Sequence, residues 1–150
     1  MGRRMVRQPL AVVTAFCLVG ACAKPLTAND MPRPKAGLWT WISASKGAPD
    51  GAGQTCLGGK PAHVWGPACP EMTYARVSDG VFEIENKCPF GAGGSSDFKV
   101  RFSGDFRASY VMDVTGVLAT PDGKPPYVQS TRYTYTFAGA CPAGLTPDED

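Results

Sequence analysis

The chain has one histidine and no cluster of basic residues, and both shortages limit its chemistry. His63 lies in residues 61–65 (PAHVW), a turn-rich stretch, which favours a loop position over a Ser-His-Asp or Cys-His site. Phosphate binding needs grouped lysine and arginine side chains, so nucleic acid is excluded as a partner. No cysteine pair has the short spacing of a structural zinc site. We therefore expect a protein that is not an enzyme, with no catalytic residue, metal or cofactor.

Long hydrophobic runs are also missing. The apolar stretch near the start, residues 10–20 (LAVVTAFCLVG), has 11 residues, whereas a membrane-spanning helix needs about 20. Because Arg3, Arg4 and Arg7 precede it, residues 1–21 have the proportions of a signal peptide.

The leader ends in residues 18–22 (LVGAC), which resemble the lipobox of bacterial lipoproteins. This pattern predicts cleavage between Ala21 and Cys22 and lipidation of the Cys22 thiol, so that the N-terminal lipid is the contact with the membrane. Ala23 follows the cysteine, as in lipoproteins sorted to the outer membrane, and predicts a periplasm-facing protein anchored there. The alternative is cleavage after Ala23, which would release a soluble periplasmic protein.

Four segments follow from these patterns. Residues 1–21 form the signal peptide, and the proline-containing residues 22–35 form a lipidated tether. Residues 36–142 form the folded domain, and residues 143–150 form a flexible acidic tail.

The domain lacks a helical period, and its apolar residues alternate with polar ones. Residues 71–77 and 81–87 flank Ser78-Asp79-Gly80, which predicts a hairpin. Residues 106–115 and 127–137 are two further strands, whereas residues 46–53 and the glycine-rich residues 90–96 are predicted loops. The fold class is therefore all-β: an antiparallel meander of about six strands that forms a curved sheet or a small open barrel.

Four cysteines remain for the domain, an even number that indicates two disulfides in an oxidising compartment. Four cysteines allow three connectivities. The hairpin places Cys69 nearly opposite Cys88, within disulfide range of neighbouring strands, which leaves Cys56 to pair with Cys141.

Several short motifs occur in an order that resembles a known family. These are residues 34–39 (PKAGLW), 54–57 (QTCL), the cysteine-flanked hairpin, 102–106 (FSGDF) and 137–142 (FAGACP). Together they resemble the exported bacterial family catalogued as domain of unknown function 3617. The resemblance implies a periplasm-facing domain of unknown biochemical function, and it supplies no active-site residues.

Two pairs of aromatic residues are the strongest candidates for a ligand-binding surface. Trp39 and Trp41 share one strand face, and Tyr133 and Tyr135 share a face of another strand. Core packing explains them, and the alternative is that they face an apolar or glycan-like ligand. We therefore expect a non-catalytic interaction or structural module that meets other envelope proteins. The alternative is a carrier or sensor of a small apolar ligand.

Overall fold

A computed structural model describes residues 25–46, 49–62, 71–90, 93–122 and 124–147. Ala21, Cys22, His63 and Cys69 lie outside these residues. The described chain is all-β, with a single 3-10 turn at Ala28–Asp30 and seven strands in one antiparallel sheet. The strands are β1 (Gly37–Ser45), β2 (Gly51–Leu57), β3 (Glu71–Ser78), β4 (Val81–Phe90), β5 (Gly94–Gly104), β6 (Ser109–Ala119) and β7 (Tyr127–Gly139).

The strand order is β2-β1-β7-β6-β5-β4-β3, and the sheet is not closed. Strands β3 to β7 form a continuous meander, as predicted. The last strand then pairs with the first, through contacts such as Trp41 with Tyr135, and β2 lies outside β1. The chain must therefore cross from one edge of the sheet to the other between β2 and β3.

The sheet has one strand more than the six or so expected, because β2 is a full strand. It pairs with β1 from Gly51 opposite Ser43 to Leu57 opposite Gly37. Gly51 and Gly53 made this stretch look like a loop, since glycine is depleted in strands. Here, however, the Trp41 side chain covers both glycines. An aromatic ring on the neighbouring strand thus compensates for the missing side chains of an edge strand.

The predicted loop at residues 90–96 is also shorter than expected. β4 continues to Phe90 and β5 begins at Gly94, with Cys88 opposite Ser96 and Pro89 opposite Ser95. The backbone ladder continues through small and glycine residues because it depends on main-chain groups, which every residue except proline supplies fully. Three residues, 91–93, therefore separate the two strands.

The turn between β5 and β6 replaces the start of a predicted strand. β6 begins at Ser109 instead of Phe106, and Phe106 adopts a left-handed φ of 58°. That conformation costs about 1–2 kcal/mol for a non-glycine residue. Asp105 offsets the cost, because its Oδ1 accepts hydrogen bonds from the backbone N–H groups of Arg107, Ala108 and Ser109 at 2.9, 2.9 and 3.1 Å. The Phe106 side chain is thereby turned into the core, where it is 7% exposed.

The two faces of the sheet differ in composition. The inner face carries the core, whose buried members include Trp39, Ile84, Val100, Phe102, Tyr110, Met112 and Tyr135. The outer face carries charged side chains that pair across strands. Glu85 contacts Lys99 at 2.6 Å, and Arg132 makes a two-atom contact to Asp113 at 2.6 and 3.1 Å. Such exposed pairs contribute little stability each but keep this face wet.

The segment before β1 packs on the sheet and extends the domain. Met31 is 3% exposed, five residues before the expected boundary at residue 36. The Lys35 N–H donates to the Phe106 carbonyl, and the Ala62 N–H donates to the Pro32 carbonyl, both at 2.8 Å. Part of the expected tether is therefore folded structure. None of the helical structure in the described residues is long and apolar enough to cross a membrane.

One disulfide joins two described cysteines, Cys56 and Cys141, whose Cα atoms are 5.7 Å apart. This predicted pairing is confirmed. It connects the edge strand β2 to the end of β7 across the intervening β1, and Cys56 is 2% exposed. Cys88 is not a free thiol either. Its predicted partner Cys69 lies outside the described residues, so the second pairing stays a prediction.

Candidate functional site

The start of β1 forms the closed end of the inner face. Trp39 is 0% exposed, and its ring meets those of Tyr110 and Phe137 edge-on at centroid distances of 5.2 and 5.4 Å. Its Nε1–H donates to the Lys35 carbonyl at 2.8 Å. A ligand has no access to this side chain, so Trp39 serves the core.

Two tyrosines stack beside Trp39. The Tyr110 and Tyr135 rings are nearly parallel, at 5°, with centroids 4.5 Å apart. Burial raises the pKa of the Tyr110 phenol, and the neighbouring Tyr135 raises it further. Both rings are buried, so this pair also belongs chiefly to the core.

A small cavity lies between these tyrosines and the segments that cover them. Its volume is about 50 Å³, and its lining includes Pro34, Ala62, Phe102, Met112 and Tyr135. A water molecule needs about 10–15 Å³ of such volume, whereas ligand pockets typically measure about 300–1,000 Å³. Of the predicted ligand-facing aromatics, Tyr135 lines this cavity, but the space suits a few waters only.

Trp41 and Tyr133 form a half-buried pair further along the same face, which we call the aromatic shelf. Their ring centroids are 6.0 Å apart at an angle of 68°. The indole lies against β2 so closely that a Cβ atom on Gly53 would come within 2.6 Å of Trp41 Cζ2. One on Gly51 would lie 3.3 Å from Cζ3. The two glycines therefore let one face of the indole rest flat on the backbone of β2.

Hydroxyl groups follow the shelf along β1 and β7. The Oγ of Ser45 and the Oγ1 of Thr131 are 2.9 Å apart, and the Gly51 N–H donates to Ser43 Oγ at 3.0 Å. Trp41 Nε1–H and Tyr133 OH, in contrast, make no hydrogen bond within the described part of the chain, and neither atom is deeply buried. The shelf thus combines flat apolar rings with two polar groups that have no partner in the described part of the chain.

Asn86 is a buried polar residue on the inner face of β4. It lies between Met72 on β3 and Phe98 on β5 and is 7% exposed. Its Oδ1 has no hydrogen-bond partner among the residues that the structure describes. An orphaned buried acceptor costs about 1–3 kcal/mol, so it marks a local weakness of the core.

The charged residues do not converge on a metal or acid-base site. Within the described residues, no three His, Cys, Asp or Glu side chains lie close enough to hold a metal ion. Glu83 and Glu85 lie on the outer face and contact Lys99. The lysine and its hydrogen bond lower the pKa of the Glu85 carboxyl, which favours its ionised form.

Sequence reasoning paired Trp39 with Trp41 on one strand and Tyr133 with Tyr135 on another, but it did not bring Trp41 and Tyr133 together and missed the role of the glycines and of Asn86. The alternation of glycine with other residues opposite a tryptophan was the available signal for the shelf. Asn86 follows Ile84 at the period-two spacing, which also indicated the inner face. Cys22, the predicted lipidation site, lies outside the described residues.

Comparisons with known proteins give no relative: no family model, curated protein or solved structure matches the chain.

Proposed function

We propose that the chain is an exported, lipid-anchored and non-catalytic interaction module of the bacterial cell envelope. The observation that carries this proposal is the division of the inner face into a packed end and an accessible aromatic shelf. Outer-face charges such as Asp113 and Arg132 pair with each other, whereas Trp41 and Tyr133 offer polar groups that have no partner among the described residues. Accessible aromatic surface with spare hydrogen-bonding capacity is typical of recognition sites.

Export and anchoring rest on the leader and are supported by the disulfide. A structural disulfide such as Cys56–Cys141 is typical of oxidising compartments, the periplasm included. We propose lipidation at Cys22, an outer-membrane location and membership of the family named above. The second disulfide belongs to the same proposal: β3 begins with Glu71 opposite Lys87, next to Cys88, and Cys69 lies two residues earlier in the sequence.

The fold proposal is a small open barrel. The strand order is that of a cyclic meander with its gap between β2 and β3, and Met31 and Ala62, which lie outside the strands, pack into the core of the inner face. A barrel that stays open leaves part of its aromatic lining accessible, which is what an interaction module requires.

Crosslinking in intact cells tests the interaction role. We expect the same few envelope proteins or polymers to be recovered with the full-length chain in repeated experiments. Cys22→Ser should release the protein from the membrane fraction, because a single thiol carries the proposed anchor. Recovery of no reproducible partner would contradict the interaction role, and a Cys22→Ser protein that stays with membranes would contradict the anchor.

A carrier of a small apolar ligand is the second candidate, and the cavity argues against it. The space beside Tyr110 and Tyr135 measures about 50 Å³, which is too small for an acyl chain. Native mass spectrometry of protein purified from the envelope decides between the two. A stoichiometric lipid in that spectrum would favour the carrier.

A further inference from the structure

We infer that the aromatic shelf binds an uncharged pyranose ring of an envelope glycan, with Trp41 as the stacking platform. This inference rests on the proposed interaction role and names the chemistry of the partner. It follows from three features of the shelf: its flat support, its unused donors and its neighbouring hydroxyl groups.

The flat support comes from β2. The indole of Trp41 rests on Gly51 and Gly53, so its position is fixed by backbone contact on one side. Tyr133 meets it at 68° and closes one edge of the platform. The face of an aromatic ring carries negative charge density, which attracts the weakly positive C–H groups on one side of a sugar ring. A platform that is fixed beforehand binds without losing side-chain freedom.

The unused donors distinguish a sugar from a purely apolar ligand. Trp41 Nε1–H is a donor, and Tyr133 OH is both a donor and an acceptor. Neither makes a hydrogen bond within the described residues. A pyranose carries hydroxyl groups around the edge of its apolar faces and can satisfy both groups, whereas an acyl chain would bury them without partners at a cost.

The hydroxyl group of half-buried Ser45 extends the polar surface in one direction, and the Thr131 hydroxyl supports it from a residue that is only 7% exposed. The two residues lie two positions beyond Ser43 and Tyr133 in the register of β1 and β7, and their hydroxyl oxygens are 2.9 Å apart. This direction leads away from the closed end, where Trp39 is fully buried. The shelf therefore suits a ring within a chain of sugars that continues along the sheet.

A polymer is favoured over a free monosaccharide because one platform gives weak affinity. A protein held at the membrane by lipid experiences a high effective concentration of any glycan fixed in the same compartment. Weak contacts that repeat along a polymer are then sufficient for occupancy. The partner we commit to is an envelope polysaccharide.

Titration by two-dimensional NMR tests the inference with the mature, oxidised protein. The probes are chitotetraose, maltotetraose and isolated peptidoglycan sacculi, the last in a sedimentation assay. We expect at least one of these to bind and, for a soluble probe, to shift the indole N–H resonance of Trp41, assigned with Trp41→Phe. The N–H resonance of Trp39 should stay in place, since that group already donates to Lys35.

Three variants make the test specific. Trp41→Ala should weaken binding about tenfold or more, because it removes the platform. Tyr133→Phe removes one hydroxyl and should weaken binding about twofold to tenfold, as expected for one hydrogen bond. Ile42→Ala is the matched control: Ile42 is next to Trp41, points to the outer face and is 62% exposed, so binding should not change. Tyr133→Phe keeps the ring, so it still tests the inference if Trp41→Ala does not fold.

Binding of none of the three probes, or equal binding by wild type and Tyr133→Phe, would overturn the inference. Failure of the glycan inference can be distinguished from failure of the proposed interaction role. If Trp41→Ala recovers the same crosslinked partners as wild type, the interaction role stands and the glycan assignment falls.

Discussion

Replacing both Cys56 and Cys141 by alanine removes the covalent tie between the edge strand β2 and the end of β7. The bond closes a loop with a sequence separation of 85 residues. With the loop-entropy relation for disulfides, a loop of that length corresponds to about 4.6 kcal/mol of unfolding free energy at 25 °C. Domains of this size have total stabilities of about 5–15 kcal/mol, so the double variant is expected to lose a large share.

Urea denaturation of the oxidised wild type and the double variant measures this loss. Most of the effect acts on the unfolded chain, which becomes less restricted and exposes more surface. We therefore expect a lower midpoint together with a larger dependence of the unfolding free energy on urea. Double replacement is needed because a single change would leave a reactive thiol in place of the bond.

Hydrogen exchange supplies an internal control. β2 pairs with β1 alone among the described strands, so its amides should exchange faster in the variant. The β3–β4 hairpin at the other edge should change only as much as global stability does. A loss below about 1 kcal/mol, with unchanged urea dependence, would refute the entropic argument.

Three other predictions concern single side chains. Asn86→Leu should raise the unfolding free energy by about 1–3 kcal/mol in urea melts, since it removes the orphaned Oδ1, and a loss would show that a partner binds this atom. Burial raises the pKa of Tyr110 in the folded state, so above about pH 10 the unfolded state ionises first and stability falls as pH rises. Tyr110→Phe should flatten that alkaline decline by about 1.4 kcal/mol near pH 11, and an unchanged decline would contradict it. Backbone hydrogen bonds lower the pKa of Asp105, so the stability it supplies is present at neutral pH and lost as pH falls through the lowered pKa. Asp105→Asn should show a weaker acid dependence in thermal melts, and a profile that matches wild type would contradict this role.

Local patterns predicted the parts of the fold that depend on neighbouring residues. The hairpin at Ser78-Asp79-Gly80 is present, with β3 ending at Ser78 and β4 beginning at Val81. The Cys56–Cys141 pairing was also predicted, because the hairpin constrained the other two cysteines. Turn residues and period-two alternation determine such features within a few residues of sequence.

Features that depend on contacts between distant residues could not be predicted from turn residues and alternation. β2 forms because Trp41, on another strand, covers Gly51 and Gly53. Phe106 leaves the strand pattern because its ring packs in the core against Phe82 and Tyr110, although the turn itself is held by local hydrogen bonds to Asp105. In both cases the local preference of the sequence is overcome by packing, which becomes visible only in three dimensions.

Trp39 and Trp41 show the same limit at the candidate site itself. Alternation places them on one face, and nothing in their spacing separates core from shelf. The separation comes from the segment around Met31 and Lys35, which covers the start of β1 and accepts the Trp39 N–H. That segment covers Trp39 completely but leaves Trp41, two residues later on the same face, half-buried. The difference between core and shelf therefore depends on how far along β1 the covering segment reaches, which the alternation of residues within β1 does not encode.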